Sequence, residues 1–296
     1  MTSTPQGLID HGDYDLSGVV RDSWDAFLTQ VESVDLSART RLDGWTVRDI
    51  VVHLGTWDGR SAMTEVVETL GADETAPHTD PDSLNAALID AHGGASDDDV
   101  RDALRGSRDA AVALLDSDVA RQRGTELVVG VTGAMPLLTV MHAGCYELAL
   151  HALDIADAME GEVDPALLGH GIAALADSTG CLAARSSAEA TVGVIADEAA
   201  WSFTSMADSG WTTEQVVGDP SGPRVSGSAT DLLEASSGRQ DPVRLVARRR
   251  LKVAHVGGLM ALTPVLDSVP GLPGGKSLAF AAKSLGGVGS LLGRLR

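Results

Sequence analysis

The stretch Met141-His142-Ala143-Gly144-Cys145-Tyr146-Glu147-Leu148-Ala149-Leu150-His151-Ala152-Leu153-Asp154 sets a carboxylate and an imidazole four residues apart inside a helical pattern. Residues i and i+4 stand one turn apart on the same helix face, so Glu147 and His151 address one object. Imidazole nitrogen and carboxylate oxygen are both ordinary zinc ligands. Asp154, one turn further on, is in position to hold the other ring nitrogen of His151 or a neighbouring group. Two ligands do not make a site. A third has to come from another helix, as in metal sites drawn from facing helices of a bundle.

His53 is the candidate. It lies in Thr46-Val47-Arg48-Asp49-Ile50-Val51-Val52-His53-Leu54-Gly55-Thr56-Trp57, where Thr46 and Asp49 have the spacing of a capping box with Asp in place of the usual Glu or Gln. Ile50, Leu54 and Trp57 form the apolar stripe, and His53 stands at its border, one turn from Trp57. A lone helical histidine is more often a core residue than a ligand, so His53 gains its weight from the Glu147/His151 pair. Three protein ligands leave positions open on an ion, the arrangement of catalytic rather than structural zinc. Two histidines and a carboxylate also suit non-haem iron.

Outward from this core, Pro136 fits the first turn of the helix that carries Glu147, after a break at Gly130 to Gly133. That helix runs to about Met159 and is ended by Gly161. His142 precedes His151 by nine residues, which at about 100° per residue puts it on the opposite face. His142 and Cys145 are therefore read as core or surface residues. Residues 1–13 read as a polar lead-in, and Val20, Trp24, Phe27, Leu28 and Val31 give a first amphipathic helix from about Asp15. Residues 72–82 read as a loop. Two acidic helices follow between Ser83 and Arg121, broken at Gly93-Gly94, with Asp97-Asp98-Asp99 suited to a helix N-terminus.

Downstream, Pro165 to about Arg185 is a further helix. After Ser186-Ser187 the period changes: Ala190 to Ile195, Trp201 to Thr204, Trp211 to Val216 and Arg224 to Gly227 are short, β-branched or aromatic, and separated by turn residues, as strands are. A helix from Ala229 to Ser237 follows. The reading is α+β: a helical domain over 1–187, a small α+β domain over 188–268 and a basic amphipathic helical tail over 269–296. Pro270 to Gly275 forms the linker to that tail, and Leu278, Leu285 and Leu292 its stripe, with Lys276, Lys283 and Arg294 beside it.

With 44% hydrophobic and 22% charged residues in 296, the chain has the composition of a soluble globular protein with room for two domains. Its formal net charge of −20 argues against nucleic acid, whose phosphates most of this surface would repel, and favours small-molecule chemistry. The basic residues gather beyond Asp241, which balances the acidic remainder internally more simply than it serves an anionic partner or a membrane surface. Packing of the tail on the protein itself or on a dimer partner is the preferred use, leaving a monomer or homodimer. Cys145 and Cys181 are the only cysteines, and the first residues lack the basic and apolar regions of a signal peptide, so free thiols and a cytoplasmic location are expected.

Gly44 to Leu54, followed by Glu147 to Asp154, resembles the mycothiol-dependent maleylpyruvate isomerase family over most of residues 15–185. The resemblance implies a DinB-like four-helix bundle, a divalent metal, usually zinc, on His53, Glu147 and His151, and mycothiol as thiol co-substrate. Val225 to Leu233 with Ser237-Gly238-Arg239 is similar to that family's sterol-carrier-like C-terminal domain. An arginine from that domain is implied as a catalytic or anion-binding group; Arg239 is the choice, with Arg248, Arg249 and Arg250 competing. A free thiol is mostly protonated at neutral pH, and a coordinating thiol is deprotonated. The expected activity is thiolate addition to a small electrophilic acid, giving isomerisation or S-transfer, with an arginine on the substrate carboxylate. The alternative is a sterol-carrier-like protein for an apolar ligand, its metal site structural or vestigial.

Overall fold

In the computed structural model, which describes residues 5–55, 62–73, 81–130, 132–159, 161–207, 209–218, 221–262 and 265, Asp15 opens the helical part. Its carboxylate accepts the Gly18 amide hydrogen bond and caps α1 (Leu16–Glu32), satisfying an N–H that the first turn leaves without a partner. Val20, Trp24, Phe27 and Val31 fall on one face of α1 and are buried. The capping box at Thr46 and Asp49 is present and starts α2 (Val47–Leu54). After α3 (Ala62–Glu68) and α4 (Pro81–Ala91), Ser96 and Asp99 form a second capping box at the head of α5 (Asp97–Leu115).

The α5 stripe of Val100, Leu104, Ser107 and Ala111 is buried. It meets both α1 and α2, and α1 also packs on α7 (Leu137–Asp154). These four helices are the bundle. Fully buried side chains such as Phe27, Ile50, Leu104 and Leu148 each contribute roughly 1.5–3 kcal/mol to holding it together. Gly55 ends α2 against α5: a Cβ there would lie 2.9 Å from the Leu104 amide nitrogen. Polar ties cross the same core, since Gln30 donates to the Ala152 carbonyl at 2.8 Å.

Three local readings change. Residue Asp116 interrupts the second acidic helix, and Ser117 caps a separate α6 (Asp118–Arg123). The break before α7 is an antiparallel hairpin of β1 (Leu127–Gly130) and β2 (Gly133–Pro136), with Gly130 opposite Gly133. Pro136 is therefore the last strand residue and N-cap of α7. The helix itself stops at Asp154, and one turn of 3-10 helix over Ala156–Ala158 continues the chain.

The chain divides into two compact units, Asp15–His170 and Met1–Tyr14 with Gly171–Arg296. Within the second lies the C-terminal part of α8 (Pro165–Arg185). By length and composition α8 could cross a membrane, yet 61% of its apolar stretch is buried inside the protein, as in the core helix of a soluble domain. The second unit is built on a mixed sheet of β3 (Ala190–Ala196), β4 (Ala200–Met206), β5 (Gly210–Gln215), β6 (Arg224–Gly227) and β7 (Lys252–Ala254). The order is β5-β4-β3-β6-β7, with β3 and β6 parallel and the other neighbours antiparallel. Between β6 and β7 lie α9 (Ala229–Ser236) and α10 (Pro242–Ala247), and α11 (Val256–Leu259) follows. The short α10 and β7 carry no periodic signal of their own.

The described part of the lead-in expected over 1–13 belongs, with Tyr14, to this sheet unit. The Trp211 amide donates to the Pro5 carbonyl at 3.0 Å. Buried Asp177 of α8 accepts at one oxygen from the Leu8 amide, the Trp211 indole and the Thr213 hydroxyl, at 3.0, 3.0 and 2.8 Å. Gly7 takes φ +66°, and a Cβ there would collide with that carboxylate. The tail over 269–296, its linker, Trp57 and the segment with Pro77 and His78 lie outside the described residues.

Candidate metal centre

Two helices present the cluster. The capping box fixes where α2 begins, so Val47, Ile50 and Val51 turn into the core and His53 falls at the half-exposed end of the helix. On α7, Leu148, Ala149 and Ala152 are buried. Glu147 emerges beside them with 48% of its side chain exposed, and His151 lies one turn on with 6% exposed.

The ligand atoms of His53, Glu147 and His151 all lie within 4.8 Å of one another, the one such group of three found among the described residues. His151 Nε2 stands 3.8 Å from Glu147 Oε2. The His53 and His151 rings meet edge to face with centroids 5.1 Å apart. His151 Nδ1 is 3.0 Å from Asp154 Oδ2 in a buried hydrogen bond. An ionised carboxylate only accepts, so this bond takes its proton from Nδ1, and Nε2 is the ring nitrogen that faces Glu147. A carboxylate on the far nitrogen of a ligating imidazole is the usual outer partner of such a site.

The donor chemistry fits a divalent ion. Zinc takes imidazole nitrogen and carboxylate oxygen at about 2.0–2.2 Å in tetrahedral geometry, which puts ligands roughly 3–4 Å apart. Glu147 is the exposed member of the group.

Other sequence candidates lie elsewhere. His142 is fully buried on the far side of α7 and affects His170, whose pKa burial lowers. Cys145 is completely buried beside Ser23, and burial pushes its thiol up to about 12. Cys181 is buried and raised for the same reason. Neither is thiolate at neutral pH, so neither is a nucleophile. Arg239 belongs to the other compact unit, half-exposed on the turn after α9. Of its competitors, Arg250 forms a two-pronged ion pair with Asp231, which is nearly buried.

Trp45 carries no ligand chemistry of its own. Its indole meets the His53 ring edge to face, with centroids 5.8 Å apart. Its neighbour in the loop, Arg41, donates its amide to the Asp154 carbonyl at 3.0 Å and its guanidinium to the Leu153 carbonyl at 3.4 Å. The only local hint was an aromatic residue just before the Thr46 cap.

Residues 19–156 match the family model for the mycothiol maleylpyruvate isomerase N-terminal domain, a span that includes His53, Glu147 and His151. Solved structures of the mycothiol-dependent maleylpyruvate isomerase and of a histidine-to-alanine mutant of it are similar to this chain at 17% identity, each with TM-score 0.49. Both matches cover 81% of this chain and 93% of the other. No curated protein matches the sequence.

Proposed function

We propose that this chain is a metal-dependent, thiol-using enzyme of the mycothiol-dependent maleylpyruvate isomerase type. It isomerises, or transfers sulfur to, a small electrophilic acid. The observation that carries the reading is the convergence of His53, Glu147 and His151 within 4.8 Å, with an exposed approach at Glu147. The residues assigned to hold the ion, zinc or another divalent metal, are these three. When bound there, the ion supplies acidification of a coordinated thiol, which would otherwise be mostly protonated at neutral pH.

The chain's own residues do the remainder. Asp154 holds the His151 ring by its Nδ1 proton. With Cys145 and Cys181 buried and protonated, the reacting sulfur comes from an external low-molecular-weight thiol, for which the family points to mycothiol. In the isomerase reading the sulfur adds to a conjugated carbon–carbon double bond. The resulting single bond rotates, and elimination restores the double bond and the free thiol, so no atom is gained or lost. Arg239 is assigned to the substrate carboxylate, which a guanidinium grips with two parallel hydrogen bonds.

The test is metal analysis of the purified chain and of His151→Ala, with thiol-dependent conversion of unsaturated dicarboxylic acids measured with and without chelator. Stoichiometric metal that is lost in the variant, and turnover that is lost with chelator, support the reading. Metal retained in full by His151→Ala removes the assigned ligands, and turnover indifferent to chelator removes the ion from the reaction.

A further inference from the structure

One short loop meets both the ring of His53 and the end of the helix that carries His151. Its path is held by its own hydrogen bonds: the Thr40 amide and hydroxyl donate to the Trp45 carbonyl at 3.2 and 2.9 Å, and the Trp45 amide donates to the Leu42 carbonyl at 3.1 Å. The Thr40 hydroxyl also accepts the Leu42 amide at 3.1 Å, and Arg39 bridges to Thr46 across the base. These bonds leave the loop little freedom to carry Trp45 away from α2.

At its middle the loop is tied to the other helix. Arg41 bonds the carbonyls of Leu153 and Asp154, which belong to the last turn of α7, where carbonyls lack intrahelical partners and a cation is favoured. Arg101 does the same for the end of α1, donating to the Val31 and Val34 carbonyls at 2.7 and 2.9 Å. The difference is what the capped helix carries. The last turn of α7 holds His151 and Asp154, and the same loop ends in the indole that packs on His53. The rings of Trp45, His53 and His151 form a row, each edge to face with the next.

We infer that Trp45 and Arg41 are positioning residues: Trp45 sets the ring of His53, and Arg41 ties that setting to the end of the helix that carries His151. The loop thereby couples two helices whose histidines are 98 positions apart in the chain, and keeps their ligand atoms within 4.8 Å of each other. This rests on the metal reading above. Trp45 touches neither the ion nor the substrate in this account; it acts through His53.

The experiment is zinc titration of the full-length chain, followed both by competition with a chelating dye and by tryptophan emission. The variants are Trp45→Phe, Trp45→Leu, Arg41→Ala and Arg41→Lys. The wild-type chain should show a zinc-dependent emission change that disappears in Trp45→Phe, because among the described residues Trp45 is the tryptophan whose ring meets a ligand. Trp45→Leu should weaken zinc binding about three- to tenfold, the scale of one lost aromatic pair. Trp45→Phe, which keeps a ring, should stay within about threefold of wild type. Arg41→Ala should weaken binding by about tenfold, as loss of an outer partner does, and Arg41→Lys should recover part of that loss. Full retention of the emission change in Trp45→Phe, with Trp57→Phe added to silence the tryptophan that follows His53 in the sequence, overturns the inference even if Trp45→Leu fails to fold. So does wild-type affinity in Trp45→Leu and Arg41→Ala. A wild-type chain that binds no zinc overturns the metal reading itself, and this inference with it, before any variant is made.

Discussion

The Asp154 carboxylate lies 3.0 Å from Nδ1 of His151, and the two side chains are 1% and 6% exposed. A buried charge–dipole contact of this kind fixes ring orientation and tautomer together. It costs little here because both residues stand on one helix, three apart, and need no long-range ordering.

Asp154→Ala should lower divalent-metal affinity 10- to 100-fold, the range for loss of such an outer partner. Asp154→Asn, which can still accept from Nδ1 but carries no charge, should lose less. Competition with a chelating indicator measures both, and equal affinity in all three proteins would remove Asp154 from the site.

Gly55→Ala should destabilise the helical unit by about 1–3 kcal/mol, the usual cost of overpacking. The added methyl would press on the backbone of Leu104 at 2.9 Å, with the Val51 carbonyl equally near, and backbone cannot rotate away. Urea unfolding followed by circular dichroism reads the loss as a lower midpoint. A zinc titration of the same variant should also show weaker binding, because His53 lies two residues before the strained point.

Neither Cys145 nor Cys181 should react with an aromatic disulfide reagent in the native state. Both are buried, with thiols held well above neutral pH, and the thiolate is the reactive form. Counting thiols before and after denaturation should give none and then both. Reaction of the native protein at the rate of a free thiol would show that one cavity opens readily. Cys145→Ser should leave thiol-dependent turnover unchanged if the reacting sulfur is external.

Stability should fall on mild acidification, with His170 contributing. Burial is the main cause of its lowered pKa, and buried His142 adds to it, against the opposing charges of Asp22 and Asp164. Ser23 meets its Nδ1 at 3.0 Å. A histidine with a folded pKa below its ordinary value of 6.5 takes up its proton more readily when unfolded. Its contribution is complete above that value and is lost as pH drops through it toward the lower folded pKa. Melting temperatures of the wild type and His170→Asn between pH 7.5 and 5 should converge at the acid end. Parallel curves would assign the acid sensitivity to other groups.

Much of the fold was legible because its signals are local. The Thr46/Asp49 box, the α1 stripe from Val20 to Val31 and the period-two segments from Ala190 onward each depend on residues a few positions apart. Each reappears at nearly the expected bounds. The hairpin ahead of α7 was missed because its four-residue strands are too short to display alternation, and its pairing is made by register between them. The acidic helix was read through Asp116 because one turn residue among charged neighbours leaves the apolar pattern almost intact.

By itself, the sequence determined the phases of the helices, the change to strands near residue 190 and the placement of Glu147, His151 and Asp154 on one helical face, since backbone geometry dictates all three. Only the tertiary structure decided that His53 meets that face, that Trp45 and Arg41 brace it, and that residues 5–14 join the sheet unit through Asp177. Those contacts join positions far apart in the chain. Their free energy comes from packing and desolvation at the meeting point, which no spacing within either segment records.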